Sequence, residues 1–122
     1  MIVDKCKNQE YYQSEKSLPC ECSGCQNFIC QIKGLYPKLA EYFESLGIDI
    51  LRPYELHYVD IDDNTIQYLL CQYLVFGTCE DGFSKNIDGI ILEKNSGFYP
   101  PVRIDDAYFV IEFENIILSL KE

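Results

Sequence analysis

Glu55-Leu56-His57-Tyr58-Val59-Asp60-Ile61, then Asp62-Asp63-Asn64, then Thr65 through Phe76, is the stretch that decides the fold. Apolar, aromatic and β-branched residues alternate with polar ones on both sides of an Asp/Asn break, which predicts a strand, a tight turn and an antiparallel return. Asp and Asn suit the turn because their side chains hydrogen-bond nearby backbone amides. Asp60, Asp62 and Asp63 also suggest a cation site, but the segment lacks the glycine and distal glutamate of a calcium loop. The turn is the better reading.

Upstream of this hairpin the periodicity is helical. Phe28, Ile32, Leu35, Leu39, Phe43 and Leu46 recur at spacings of three and four, which places them on one helical face. Ser23 followed by Gln26 predicts a capping box at the start, and Gly47 predicts a left-handed stop. Pro37 cannot donate a backbone hydrogen bond, so it marks either a kink or the start of a second helix. Residues 1–19 lack sustained periodicity and are expected to form an extended, partly mobile arm with room for one strand or turn.

Downstream, Gly77 to Lys85 reads as a loop and Ile87 to Leu92 as a short strand. Asn95-Ser96-Gly97 reads as a turn, and Pro100-Pro101 interrupts pairing. Asp105-Asp106 should be solvated turn residues. In Ala107 to Leu118, Phe109, Ile111 and Phe113 alternate with Val110, Glu112 and Glu114. That alternation lapses at Ile116-Ile117-Leu118, a sign of a bulge or of burial on both faces. The expectation is a single α+β domain over residues 1–122. A kinked helix or helical hairpin should pack on one face of an antiparallel sheet of about four strands.

Charge bounds the function. Ten Lys and Arg against 20 Asp and Glu give a formal net charge of −10 over 122 residues. Such a field repels phosphate backbones, so direct nucleic-acid binding is not expected, whereas a basic protein partner is favoured. The simpler reading is that the charge serves solubility. The first residues contain no apolar leader core, and no apolar run approaches a membrane span. The cytoplasm is the expected compartment, where the seven cysteines would stay reduced.

Four of those cysteines fall within eleven residues: Cys20, Cys22, Cys25 and Cys30. Cys22-Ser23-Gly24-Cys25 has the Cys-x2-Cys spacing that zinc sites use, and Cys20 supplies a third thiolate close by. Cys30 falls about 140° around the helix from Cys25, on the polar side, so it cannot reach the same ion. A fourth zinc ligand should then come from the core side: Cys71, Cys79, Cys6 or the single histidine, His57. Against the metal stands the reading that these are reduced thiols, some packed as small hydrophobes. A redox dithiol is disfavoured because the motif does not lie in a βαβ unit.

A cysteine hydrolase using Cys71 or Cys79 with His57 is conceivable, but no local nucleophile signature, phosphate loop or dinucleotide fingerprint accompanies it. Ten tyrosines and no tryptophan add a further signal, since tyrosine suits sheet faces that meet a partner. Tyr68 should share a face with Ile66 and Leu70, and Tyr73 the opposite face with Cys71 and Val75, leaving at least one tyrosine face open. Ordinary sheet packing explains them equally well.

The stretch Cys20-x-Cys22-x2-Cys25-x-Asn27-Phe28, then Tyr36-Pro37, Phe43-x2-Leu46-Gly47-Ile48-Asp49 and Pro53-x-Glu55, resembles a family of small bacterial proteins without assigned function. The likeness covers the middle third of the chain. It extends to the small acidic proteins found among toxin-neutralising immunity factors and phage counter-defence factors. The resemblance implies a bacterial or phage setting and a cytoplasmic binding role, with no catalytic residues to carry over. The leading expectation is thus a non-enzymatic acidic protein that inhibits or neutralises a partner. The alternatives are a zinc-stabilised module and the Cys71 or Cys79 enzyme with His57.

Overall fold

The computed structural model describes residues 1–95 and 106–120. The predicted hairpin is its spine. Strand β2 (Glu55–Asp62) turns through residues 63 and 64 into β3 (Thr65–Thr78), and Asp62 accepts the Asn64 amide at 2.8 Å, as an Asx turn should. β3 is long enough to pair on both edges. Along one run β2 and then β1 (Ile2–Val3); along the other run β7 (Ile116–Ser119) and then β6 (Tyr108–Phe113), all antiparallel. β5 (Ile90–Lys94) extends the sheet beyond β6, and β4 (Ser84–Ile87) closes it.

Among the described residues the sheet therefore has seven strands rather than about four. One of the three extra strands comes from Ile87 to Leu92, expected as one strand, which instead contains a hairpin turn; the others are β1 and the division of the last expected strand into β6 and β7. Asp88 and Gly89 have φ of 56° and 80°, the left-handed pair that a two-residue hairpin requires. Asp88 also accepts from the amides of Lys38 and Leu39 at 2.9 and 3.2 Å, and so caps a helix from across the fold. The predicted features at Ser96-Gly97, Pro100-Pro101 and Asp105 lie outside the described residues.

The helical region is a hairpin. α2 (Ser23–Leu35) ends before Pro37, which occupies the first turn of α3 (Pro37–Ser45), where its missing N–H costs nothing. α3 stops at Gly47 with φ 83°, while Gly47 and Ile48 amides bond back to Glu44 and Phe43 at 2.9 Å each. This is the Schellman closure that glycine permits. Phe28, Ile32, Leu39, Phe43 and Leu46 are buried as predicted. Leu35 is 56% exposed, because the chain turns there and the apolar stripe restarts on α3.

The amino-terminal arm is not extended. Asp4 caps a helix, α1 (Lys5–Gln13), that has no apolar stripe for a sequence reading to detect. It docks by polar groups. Asn8, fully buried, donates to the Leu46 carbonyl and accepts from the Phe76 amide, both at 2.8 Å, and the Tyr12 hydroxyl donates to the Leu74 carbonyl at 2.7 Å. A 3-10 turn at Glu15–Ser17 follows, with Arg52 donating to Ser14 and Ser17.

The core lies between the helices and one sheet face, built from Ile66, Tyr68, Cys71, Tyr73 and Val75 of β3 with Phe109, Ile111, Phe113, Ile116 and Leu118 opposite. Buried positions change from even to odd along β3 at Leu69-Leu70. The register against β2 slips there, with His57 opposite Leu70 but Tyr58 opposite Tyr68. The neighbouring chain changes parity at the same level, through Glu114 and Asn115 (φ 60°). A paired irregularity thus keeps one apolar face continuous across a strand too long to alternate evenly. The bulge expected near Ile116 is not seen: β6 and β7 keep one register against β3, with two residues on each side between the Cys71–Phe113 and Tyr68–Ile116 pairs. Burial on both faces does not hold, since Ile117 is 57% exposed.

The same shift overturns the predicted tyrosine faces. Tyr68 and Tyr73 point to the same side and are both fully buried. Their hydroxyls are spent on the carbonyls of Gly24 and Ile50, at 2.5 and 2.6 Å.

Candidate thiolate metal centre

Cys20, Cys22 and Cys25 come together. Their sulfur atoms all lie within 4.8 Å of one another. Cys20 precedes α2, Cys22 is its N-cap residue, and Cys25 lies one turn in. Exposure falls along the series: Cys20 is exposed, Cys22 intermediate and Cys25 buried. The Cys22 amide donates to the Cys20 sulfur at 3.4 Å.

The predicted capping box does not form. Ser23 is already helical, and the N-cap is Cys22, whose side chain makes no complete capping bond. Gln26 reaches back instead to the Cys20 carbonyl at 3.1 Å and so ties down the loop that carries the first thiol.

Sheet residues fix the other side of the cluster. The Tyr58 hydroxyl lies 3.2 Å from the Cys22 sulfur. Its ring packs on Tyr68 with centroids 5.6 Å apart, and Tyr68 in turn donates to Gly24. Asn27 and Gln31 both donate to the Ser119 carbonyl, at 3.2 and 2.7 Å, anchoring the first turns of α2 to β7. Gly24 makes this approach possible. A Cβ at that position would sit 2.2 Å from Cζ of Tyr58, far inside van der Waals contact.

These surroundings split the thiols. Cys22 is held down to about 6, first by the Tyr58 hydroxyl and then by the Cys25 amide and thiol. The open amides of the helix start act in the same direction. Cys25 is pushed up, chiefly by burial and then by the neighbouring thiols. Tyr58 is raised to about 12, because its proton is needed by Cys22.

None of the expected fourth ligands joins the cluster among the described residues. Cys71 is fully buried on the core face of β3, opposite Leu56, and burial raises its thiol. His57 is exposed on the other face of the sheet, with a Glu55 carboxylate oxygen 3.5 Å from its Nε2. Neighbouring strand residues point to opposite faces, so Cys71 and His57 do not meet. Cys79 lies beyond the end of β3, its thiol directed at the Glu80 carbonyl, and Cys6 is on the exposed side of α1. Cys30 is exposed and apart from the cluster, as its helical angle predicts.

Asp60, Asp62 and Asp63 line a groove of about 520 Å³ together with Ser23, Gly24 and Tyr58, so the acidic turn borders the thiol loop. Spacing within the sequence picks out the three cysteines, but nothing in it points to Tyr58, which lies 36 residues from Cys22. Among the described residues, no helix is long and apolar enough to cross a membrane. No family model matches the chain, and no curated protein or solved structure matches it significantly.

Proposed function

We propose that this protein is a thiolate metal-binding module in which Cys20, Cys22 and Cys25 hold a thiophilic ion, zinc foremost. The observation that carries this reading is the convergence of three sulfurs within 4.8 Å on a loop braced from both sides. Thiolate sets select zinc and other soft ions, and a single thiol already held near 6 lets binding begin at neutral pH. A three-sulfur set leaves one coordination position for solvent or a partner's ligand. The module is non-enzymatic, and a reducing compartment such as the cytoplasm suits its unpaired cysteines. Elemental analysis of protein purified without added metal tests the reading. Near-stoichiometric zinc that is lost in a Cys20/Cys22/Cys25→Ser triple variant supports it, and metal-free protein overturns it.

A second reading has its own support. The net charge of −10 and the Asp60, Asp62 and Asp63 rim favour an acidic binding protein that neutralises a basic partner, as in immunity or counter-defence proteins. Pull-down at low and high salt tests it, and the absence of any salt-sensitive protein partner counts against it.

A further inference from the structure

We infer that Cys22 and Cys25 also form a thiol–disulfide exchange pair, with Cys22 attacking and Cys25 resolving, for accessible disulfides of the glutathione class. The inference needs two of the clustered sulfurs and no metal, so it stands apart from the metal reading.

Three features support it. Cys22 is the N-cap of α2 and is partly accessible, so an incoming disulfide can reach its sulfur. Cys25 is only 7% exposed and lies one turn into the same helix. Residues three apart in a helix have Cα atoms about 5 Å apart, inside the range a disulfide spans. The sulfurs already lie within 4.8 Å, so side-chain rotation brings them to bonding distance. The Tyr58 hydroxyl at 3.2 Å holds the Cys22 sulfur in place from the sheet side. The motif needs no βαβ unit for this chemistry; a helix start and a sheltered second thiol suffice.

The steps balance. The Cys22 thiolate attacks one sulfur of the substrate disulfide, breaking that bond and releasing one thiolate, which takes a proton from water. Cys25 then loses its proton to solvent, and its sulfur attacks the Cys22 sulfur of the mixed disulfide. The second thiol leaves and Cys22–Cys25 closes. Two electrons and two protons pass from the protein dithiol to the substrate. Burial of Cys25 protects it from external attack, so the mixed disulfide resolves within the chain.

The test uses the full chain, freed of metal by chelation and exposed to oxidised glutathione without oxygen, followed by alkylation and peptide mass mapping. The expected products are a Cys22–Cys25 disulfide in the parent chain and, in Cys25→Ser, glutathione trapped on Cys22. Trapping there should exceed that on the exposed Cys6 and Cys30. In Cys22→Ser, Cys25 should stay unmodified, which guards against a Cys25 variant that folds poorly. Zinc content is read on the same preparation before chelation, so failure of the metal reading is distinguishable from failure of this one. Equal labelling of Cys6, Cys20, Cys22 and Cys30, or a dominant bridge to Cys20, would overturn the inference.

Discussion

Replacing Gly24 with alanine should separate the chemistry of Cys22 from the stability of the fold. The new Cβ would meet Cζ, Cε2 and the hydroxyl oxygen of Tyr58 at 2.2, 2.4 and 2.6 Å. An ordinary carbon contact is about 3.5–4.0 Å, so the ring must retreat by about 1.3–1.8 Å. The three nearest atoms all belong to the far end of one side chain, which can swing away from the loop. Doing so takes its hydroxyl out of the 3.2 Å contact with Cys22, past the distance at which a hydrogen bond survives. The cost to folding is small: loss of the Tyr58–Tyr68 ring contact, about 0.5–1.5 kcal/mol, is offset by about 1 kcal/mol of helix propensity. The melting temperature should therefore move by no more than about 5 °C. The Cys22 thiol, by contrast, should rise from about 6 toward its ordinary 9.0, because Tyr58 is the largest influence holding it down. Alkylation rates at Cys22 measured against pH, with mass mapping of the adduct, read this directly. A folded Gly24→Ala chain whose Cys22 still titrates near 6 would refute the role given to Tyr58.

Four further outcomes follow from the structure. Asn8→Ala should lower stability by about 3 kcal/mol in urea unfolding, since it orphans both the Leu46 carbonyl and the Phe76 amide in a buried place. Asp88→Ala should cost about 1 kcal/mol or more, by removing the acceptor at the start of α3 and straining a left-handed residue. Cys71→Ala should leave metal stoichiometry unchanged in elemental analysis, because that thiol faces the core away from the cluster; loss of metal would show that it is a ligand after all. Native Cys22 titrates below its unfolded value, so its contribution to stability is present above about pH 9 and fades as pH falls toward 6. The raised Cys25 acts oppositely, above the ordinary thiol value. Denaturant titrations of metal-free protein should show stability rising between about pH 6 and 9 and a flatter profile in Cys22→Ser.

Where period and turn chemistry were strong, sequence and structure coincide. The 55–76 hairpin, the break at Pro37 and the stop at Gly47 each follow from local rules about φ angles and hydrogen-bond donors. Where burial is bought by polar groups, the pattern is silent. α1 carries no apolar stripe and is held by Asn8 and Tyr12, whose partners lie 38 to 68 residues away. The Asp88-Gly89 turn was hidden because the apolar residues on either side read as one continuous strand.

The candidate site divides along the same line. The three thiols of the cluster were legible because all are local, set by a turn and the first turn of one helix. Exclusion of Cys30 was equally local, since helical geometry fixes its angle.

By itself, then, the sequence determined the helix–turn–helix and hairpin segments and the three-thiol loop, all of which depend on interactions between near neighbours. Only the tertiary structure decided that Tyr58 would face Cys22, that Cys71 and His57 would lie on opposite sides of a sheet, and that Tyr68 and Tyr73 would share its inner face. Those outcomes turn on one shift of register between β2 and β3. A single extra residue there exchanges the two faces of a strand, and its energy comes from packing across the whole core rather than from the residues at the bulge.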